Sequence, residues 1–84
     1  LEHMPTTVLT PVQWAENPKV VDLMALTGVA KSKGEARRLI EGGGVTIDDA
    51  KVTDIAAEPE EAALRKGIVL RKGKKVYHRI LLGE

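Results

Sequence analysis

The sequence contains no cysteine, which removes disulfide staples, thiolate metal sites and a cysteine nucleophile together. That absence agrees with a reducing cytosol, so a cytoplasmic location is expected. Long apolar runs are also missing. None approaches the ~20 residues that cross a bilayer, and the N-terminus lacks the charged and apolar regions of a signal peptide. No membrane association is expected. Histidine occurs twice, and His3 lies in Leu1-Glu2-His3-Met4, which reads as a cloning scar and is set apart as residues 1–4. No second histidine is then left for a metal site or a triad, and no Gly-x-x-x-x-Gly-Lys loop is present. The acid pairs Asp48-Asp49 and Glu60-Glu61 are neighbours in sequence rather than groups converging on a site. The expectation is one non-catalytic domain, without catalytic residue, cofactor or metal, in a chain of 84 residues that has room for a single modest core.

Excess charge of one sign is lacking too, since the net charge is +1, yet the charges are segregated along the chain. Between Arg65 and Arg79 stand seven basic residues (Arg65, Lys66, Arg71, Lys72, Lys74, Lys75, Arg79) and no acid, whereas Asp48 to Glu61 holds six carboxylates against Lys51 alone. A second basic group, Lys31, Lys33, Arg37 and Arg38, is interrupted by Glu35. Separation of this kind predicts a basic face and an acidic face.

Residues 5–18 contain three prolines and no sustained periodicity, and read as a linker or loosely attached arm arriving from something upstream. Trp14 is expected to anchor that arm to the domain formed by residues 19–84. Val20, Leu23, Met24 and Thr27 fall at helical spacing, with Gly28 as a stop. Ser32 and Glu35 form a capping-box signature for a second helix, whose stripe is Ala36, Leu39 and Ile40 and whose stop is Gly42-Gly43-Gly44. Val45 to Asp48 and Lys51-Val52 predict a hairpin, and Pro59 to Lys66 a short helical turn on the surface. Ile68 to Arg71 and Lys75 to Leu82 predict a second hairpin around Gly73. The fold expected is α+β, with two short helices packed on a small, mainly antiparallel sheet. Its core would comprise Val20, Leu23, Met24, Val29, Leu39, Ile40, Val45, Ile47, Val52, Ile68, Leu70 and Ile80.

Lys33 and Arg37 are four apart and project to one side of the second helix. Lys31 and Lys33 stand where the helix macrodipole is positive, a placement disfavoured by ~0.3 to 1 kcal/mol per cation unless an anion is nearby. Intrahelical pairing of Arg38 with Glu35 and of Arg37 with Glu41 is the competing structural account. Four cations around Gly73 likewise repel one another unless something anionic neutralises them, as a phosphate backbone does. Of Tyr77 and His78, strand alternation sends one to the core side.

The block Leu26-Thr27-Gly28-Val29-Ala30-Lys31-Ser32-Lys33-Gly34-Glu35-Ala36-Arg37-Arg38-Leu39-Ile40, followed by a glycine-led hairpin and Lys51-Val52, strongly resembles the alpha-L RNA-binding domain. That motif recurs in a ribosomal small-subunit protein, in pseudouridine synthases and in the C-terminal region of bacterial tyrosyl-tRNA synthetases. The tail from Gly67 to Arg79 narrows the resemblance to the last of these, over roughly Val20 to Leu81. Asp48-Asp49-Ala50 stands where the family usually has Asn-Gly. The resemblance implies a domain that holds tyrosine tRNA near its anticodon stem and long variable arm. By position it implies that Lys31, Ser32, Lys33, Arg37 and Arg38 form an RNA-facing helix and Arg71, Lys72, Lys74 and Lys75 a basic hairpin, with Lys51 as a further contact. ATP and tyrosine would bind only in a catalytic domain outside these residues. The isolated domain would be monomeric and the parent enzyme a homodimer. The alternatives are a protein-interaction or assembly module, and an alpha-L domain of a ribosome-associated or RNA-modifying protein, which the tail argues against.

Overall fold

A computed structural model describes residues 4–83. The elements are β1 (Thr6–Leu9), α1 (Pro11–Glu16), α2 (Val20–Thr27), α3 (Lys33–Glu41), β2 (Val45–Ile47), β3 (Ala50–Lys51), α4 (Glu61–Lys66), β4 (Ile68–Lys72) and β5 (Val76–Leu82). The strands form one sheet in the order β1-β5-β4-β2-β3. All pairings are antiparallel except β1 with β5. The expected α+β class holds.

Local signals account for most boundaries. Gly28 ends α2 in the left-handed region at φ 83°, as the stop signal predicts. Ser32 caps α3, its Oγ accepting from the Glu35 N–H at 3.1 Å. The reciprocal half of the predicted capping box is displaced by one residue, because Glu35 Oε1 accepts from the Lys31 N–H at 3.3 Å rather than from Ser32. At the other end of α3 the Gly44 N–H donates to the Leu39 carbonyl and the Gly43 N–H to the Ile40 carbonyl, with Gly43 at φ 77°. This glycine-dependent stop satisfies the last carbonyls of the helix and turns the chain into β2.

The two hairpins are those the sequence predicts, with boundaries shifted by a residue. Asp48 and Asp49 both have positive φ, 49° and 71°, which is the backbone of a type I′ turn and matches the twist of the strands it joins. Asp48 is further held by Val69, whose N–H donates to its carboxylate at 2.9 Å. The β4–β5 loop is Gly73-Lys74-Lys75, with Lys72 paired to Val76.

Residues 6–16, expected as an arm, carry regular structure. β1 adds a parallel edge strand in which Leu9 is opposite Leu82, and Leu9 is fully buried. Thr10 caps α1, its hydroxyl accepting from the Gln13 N–H while Gln13 accepts from the Thr10 N–H. Pro11 starts that helix, at a position where a missing N–H costs nothing. Trp14 packs half-buried against the core, as expected of an anchor.

Alternation gives the sheet two distinct faces. Leu9, Val45, Ile68, Leu70, Ile80 and Leu82 are buried on the face that receives α2, α3 and α4 through Val20, Val21, Leu23, Met24, Ala36, Ile40 and Leu64. Leu39, Ile47 and Val52, expected in the core, are partly buried at its margin. Thr6, Val8, Thr46, Val69, Arg71, Tyr77 and Arg79 lie on the opposite, outer face, where no strand residue is fully buried. Leu64 shows that α4 is not merely a surface turn. This one large side chain, fully buried, ties an otherwise largely exposed helix to the sheet.

Candidate nucleic-acid interface

The α3 cations follow from its amphipathic pattern. Ala36 and Ile40 enter the core, so Lys33, Arg37 and Arg38 are turned outward and are exposed, as are Lys31 and Ser32 just before the helix. Arg38 lies back along the helix beside Gly34, its Nη1 3.8 Å from where a Cβ on Gly34 would stand, which turns the guanidinium toward the helix start. Free N–H groups, a hydroxyl and a guanidinium thereby share the positive end of the helix dipole.

The other end of α3 meets the basic β4–β5 hairpin. The Gly73 N–H donates to the Gly44 carbonyl at 2.8 Å, which fastens the β4–β5 tip to the glycine stop of α3. Lys51 arrives from β3, and its Nζ would be 3.6 Å from a Cβ on Gly43. Lys51, Lys72, Lys74 and Lys75 therefore gather around the C-terminal end of α3. The helix is nine residues long, counted from Lys33, a rise of about 13 Å at 1.5 Å per residue. Residues far apart in sequence are joined through one helix and one backbone hydrogen bond.

Carboxylates answer few of these cations. Lys33 Nζ pairs with Asp22 Oδ1 at 3.1 Å, bridging α3 to α2. Asp22 is 12% exposed and the Lys33 side chain 53%, so the lysine remains open to a ligand. The other ion pair among the described residues is Arg65 with Glu61 on α4. The intrahelical pairs of Arg38 with Glu35 and Arg37 with Glu41 are not formed.

Arg71 departs from the arrangement the sequence suggests. It neighbours Lys72 in β4, and alternation sends the two side chains to opposite faces. Arg71 is turned onto the outer face beside Thr46 and Tyr77, its cross-strand partners, and its Nε is buried. The tip thus presents Lys72, Lys74 and Lys75, with Arg71 apart from them. His78 takes the core side, where its Nε2 is 2.7 Å from Thr7 Oγ1. Burial pushes the imidazole below its ordinary pKa. Among the described residues no group of His, Cys, Asp or Glu is arranged to hold a metal ion, and no helix is long and apolar enough to cross a membrane.

Helices leading through a glycine stop into hairpins, with cations at the helix start and the hairpin tip, make this a small α+β domain with a basic surface. The family described as "Tyrosine--tRNA ligase SYY-like C-terminal domain" matches residues 1–80, and the chain belongs to that family. Among curated proteins it is similar to the tyrosine--tRNA ligase of Clostridium botulinum (strain Loch Maree / Type A3), 42% identical over 83 residues, covering 98% of this chain and 20% of the relative. It is 46% identical over 82 residues to that of Symbiobacterium thermophilum, covering 96% of this chain and 19% of the relative. With the tyrosine--tRNA ligase of Thermobifida fusca it shares 48% identity over 69 residues, covering 80% of this chain and 16% of the relative. The chain thus spans no more than a fifth of the length of these relatives.

Proposed function

We propose that this domain holds tyrosine tRNA by phosphate and shape contacts near the anticodon stem and long variable arm, as a non-catalytic part of a cytoplasmic tyrosine-tRNA ligase. The observation that carries the reading is the fastening of the lysine-rich tip to the end of α3 through Gly73 and Gly44. It brings Lys51 and the tip that carries Lys72, Lys74 and Lys75 to one end of a helix whose start displays Lys31, Ser32 and Lys33 and whose exposed side carries Arg37 and Arg38. Membership of a tyrosine--tRNA ligase C-terminal family supports the choice of RNA.

Lysine and arginine contacts to phosphates fix orientation without reading bases, so their spacing selects an RNA shape. The exposed start of α3 takes one phosphate on its free N–H groups, flanked by Ser32, Arg38 and Lys31. Lysines around Gly43 and Gly73 take phosphates further along the backbone. A few such contacts give modest affinity with strong salt dependence. Attachment to a catalytic body, where ATP and tyrosine bind, raises the effective concentration and makes modest affinity sufficient. The isolated domain is monomeric in this reading, and the parent enzyme is a homodimer.

The test is binding of tyrosine tRNA to the double variant Lys33→Ala/Arg37→Ala. Weaker binding and a shallower salt dependence are expected, with folding retained, because Asp22 keeps the bond from the Lys19 N–H when Lys33 is removed. Undiminished binding at low salt overturns the assignment of this surface. A stable dimer that buries the tip and has no RNA affinity would instead make the domain an assembly module.

A further inference from the structure

The outer face of the sheet carries a cavity of about 270 Å³ that the basic surface does not use, lined by Thr46, Asp48, Asp49, Val69, Arg71 and Tyr77, with Met4 of the N-terminal segment completing the lining. Thr46, Arg71 and Tyr77 are successive cross-strand partners on β2, β4 and β5, so they stand in one row about 5 Å apart. Arg71 Nε and Thr46 Oγ1 are shielded from solvent, and neither has a hydrogen-bond partner within the chain. Buried polar groups are normally paired, so two unpaired ones on cross-strand neighbours behind the cavity wall mark groups that a ligand oxygen satisfies once the wall relaxes to admit it. At the type I′ turn the chemistry is opposite. Asp48 accepts from the Val69 N–H through Oδ1, which leaves its second oxygen and the Asp49 carboxylate as acceptors for N–H donors. Between these ends lie the Tyr77 ring and the apolar Val69.

A matching ligand has oxygens at one end, a flat ring in the middle and an amino group at the other. A nucleotide has that layout. The cavity is slightly smaller than the ~300 Å³ at which sites for drug-sized ligands begin, so it has room for one nucleoside and none for a base pair. Carboxylates repel phosphate, which fixes the direction: sugar or phosphate oxygens at Arg71 and Thr46, base edge at the turn.

We propose that this cavity binds one unpaired nucleotide of an RNA whose base carries an exocyclic amine. The base packs against Tyr77, its amine donates to the Asp48 and Asp49 carboxylates, and a sugar or phosphate oxygen accepts from Arg71 Nε while engaging the Thr46 hydroxyl. The proposal rests on the RNA-binding reading above and adds base recognition to a surface that otherwise senses phosphate and shape.

Cytidine, adenosine and uridine 5′-monophosphates, each titrated into the ¹⁵N-labelled domain, test it without the rest of the RNA. Cytidine and adenosine monophosphates should shift the amides of Thr46, Val69, Arg71 and Tyr77, and uridine monophosphate, which lacks the amine, should bind at least about threefold more weakly. Thr46→Val keeps the β-branched shape of the strand and removes only the hydroxyl; Asp49→Asn keeps a residue tolerant of positive φ. Each should weaken nucleotide binding about three- to tenfold. Absence of shifts on the outer face with every nucleotide, or unchanged affinity in both variants, overturns the proposal. Tyrosine tRNA binding by the unmodified domain separates the two readings: if it persists while the nucleotides fail, only the cavity assignment falls, and if it is absent the RNA-binding reading falls.

Discussion

Replacing Leu9 by alanine tests whether β1 belongs to the folded unit. Leu9 is fully buried, lies opposite Leu82, and its carbonyl accepts from the Gly83 N–H at 2.9 Å. Truncating a leucine at such a site costs about 2–5 kcal/mol, the forfeited transfer energy plus the cavity left behind. A domain of this length has a total stability of about 4–13 kcal/mol at ordinary values per residue, so the change removes a large share of it. Each kcal/mol lowers the Tm of a domain this size by about 4–8 °C, and the expected fall is at least about 8 °C. Thermal unfolding followed by circular dichroism reads this directly. Val8→Ala is the control, since Val8 is 57% exposed on the neighbouring position of the same strand and should change stability by no more than about 0.5 kcal/mol. Equal, negligible effects from both substitutions would refute the integration of β1 and return residues 6–16 to the status of an arm.

The turn and the histidine give further expectations. Asp49→Gly should raise stability by about 0.5–1 kcal/mol, because glycine takes positive φ without steric cost, whereas at Asp48 the same relief is offset by loss of the bond from the Val69 N–H, about 1 kcal/mol, so Asp48→Gly should leave stability nearly unchanged; urea titration distinguishes the two. His78 is held below its ordinary pKa of 6.5 by burial. Below that value the unfolded chain takes up a proton that the folded one resists, so stability should fall as pH drops through 6.5 and level off below the folded-state value. Denaturation midpoints measured between pH 7.5 and 5 should show this slope, and His78→Gln should reduce it.

Elements that local chemistry determines are legible in the sequence alone. Gly28, the Ser32 cap and the triple glycine bracket α2 and α3 without help from the rest of the chain, and both hairpins follow from alternation around Asp48-Asp49 and Gly73. The N-terminal segment reads as an arm because its prolines look like breakers. Thr10-Pro11-Val12-Gln13 in fact carries a capping box with proline at the first helical position, a signal that is itself local. The parallel pairing of β1 with β5 is different in kind. Four residues are too few for a period, and nothing local encodes a partner some seventy positions away. The separation of Arg71 from the tip follows from alternation, since neighbours in a strand face opposite ways, but a charge count along the chain does not see it. The docking of the tip onto Gly44 is not legible at all, because a backbone hydrogen bond between loops leaves no compositional trace.

The central claim is that one RNA molecule touches both the α3 cations and the hairpin tip. Its most direct test is the slope of log affinity against log salt for tyrosine tRNA, measured with the unmodified domain, an Arg37→Ala/Arg38→Ala variant, a Lys72→Ala/Lys74→Ala/Lys75→Ala variant and their combination. Removing one cation–phosphate pair should reduce the slope by about 0.7 to 0.9, so both variants should lower it and the combination should lower it by the sum. A slope altered by one variant and untouched by the other would contradict a shared surface.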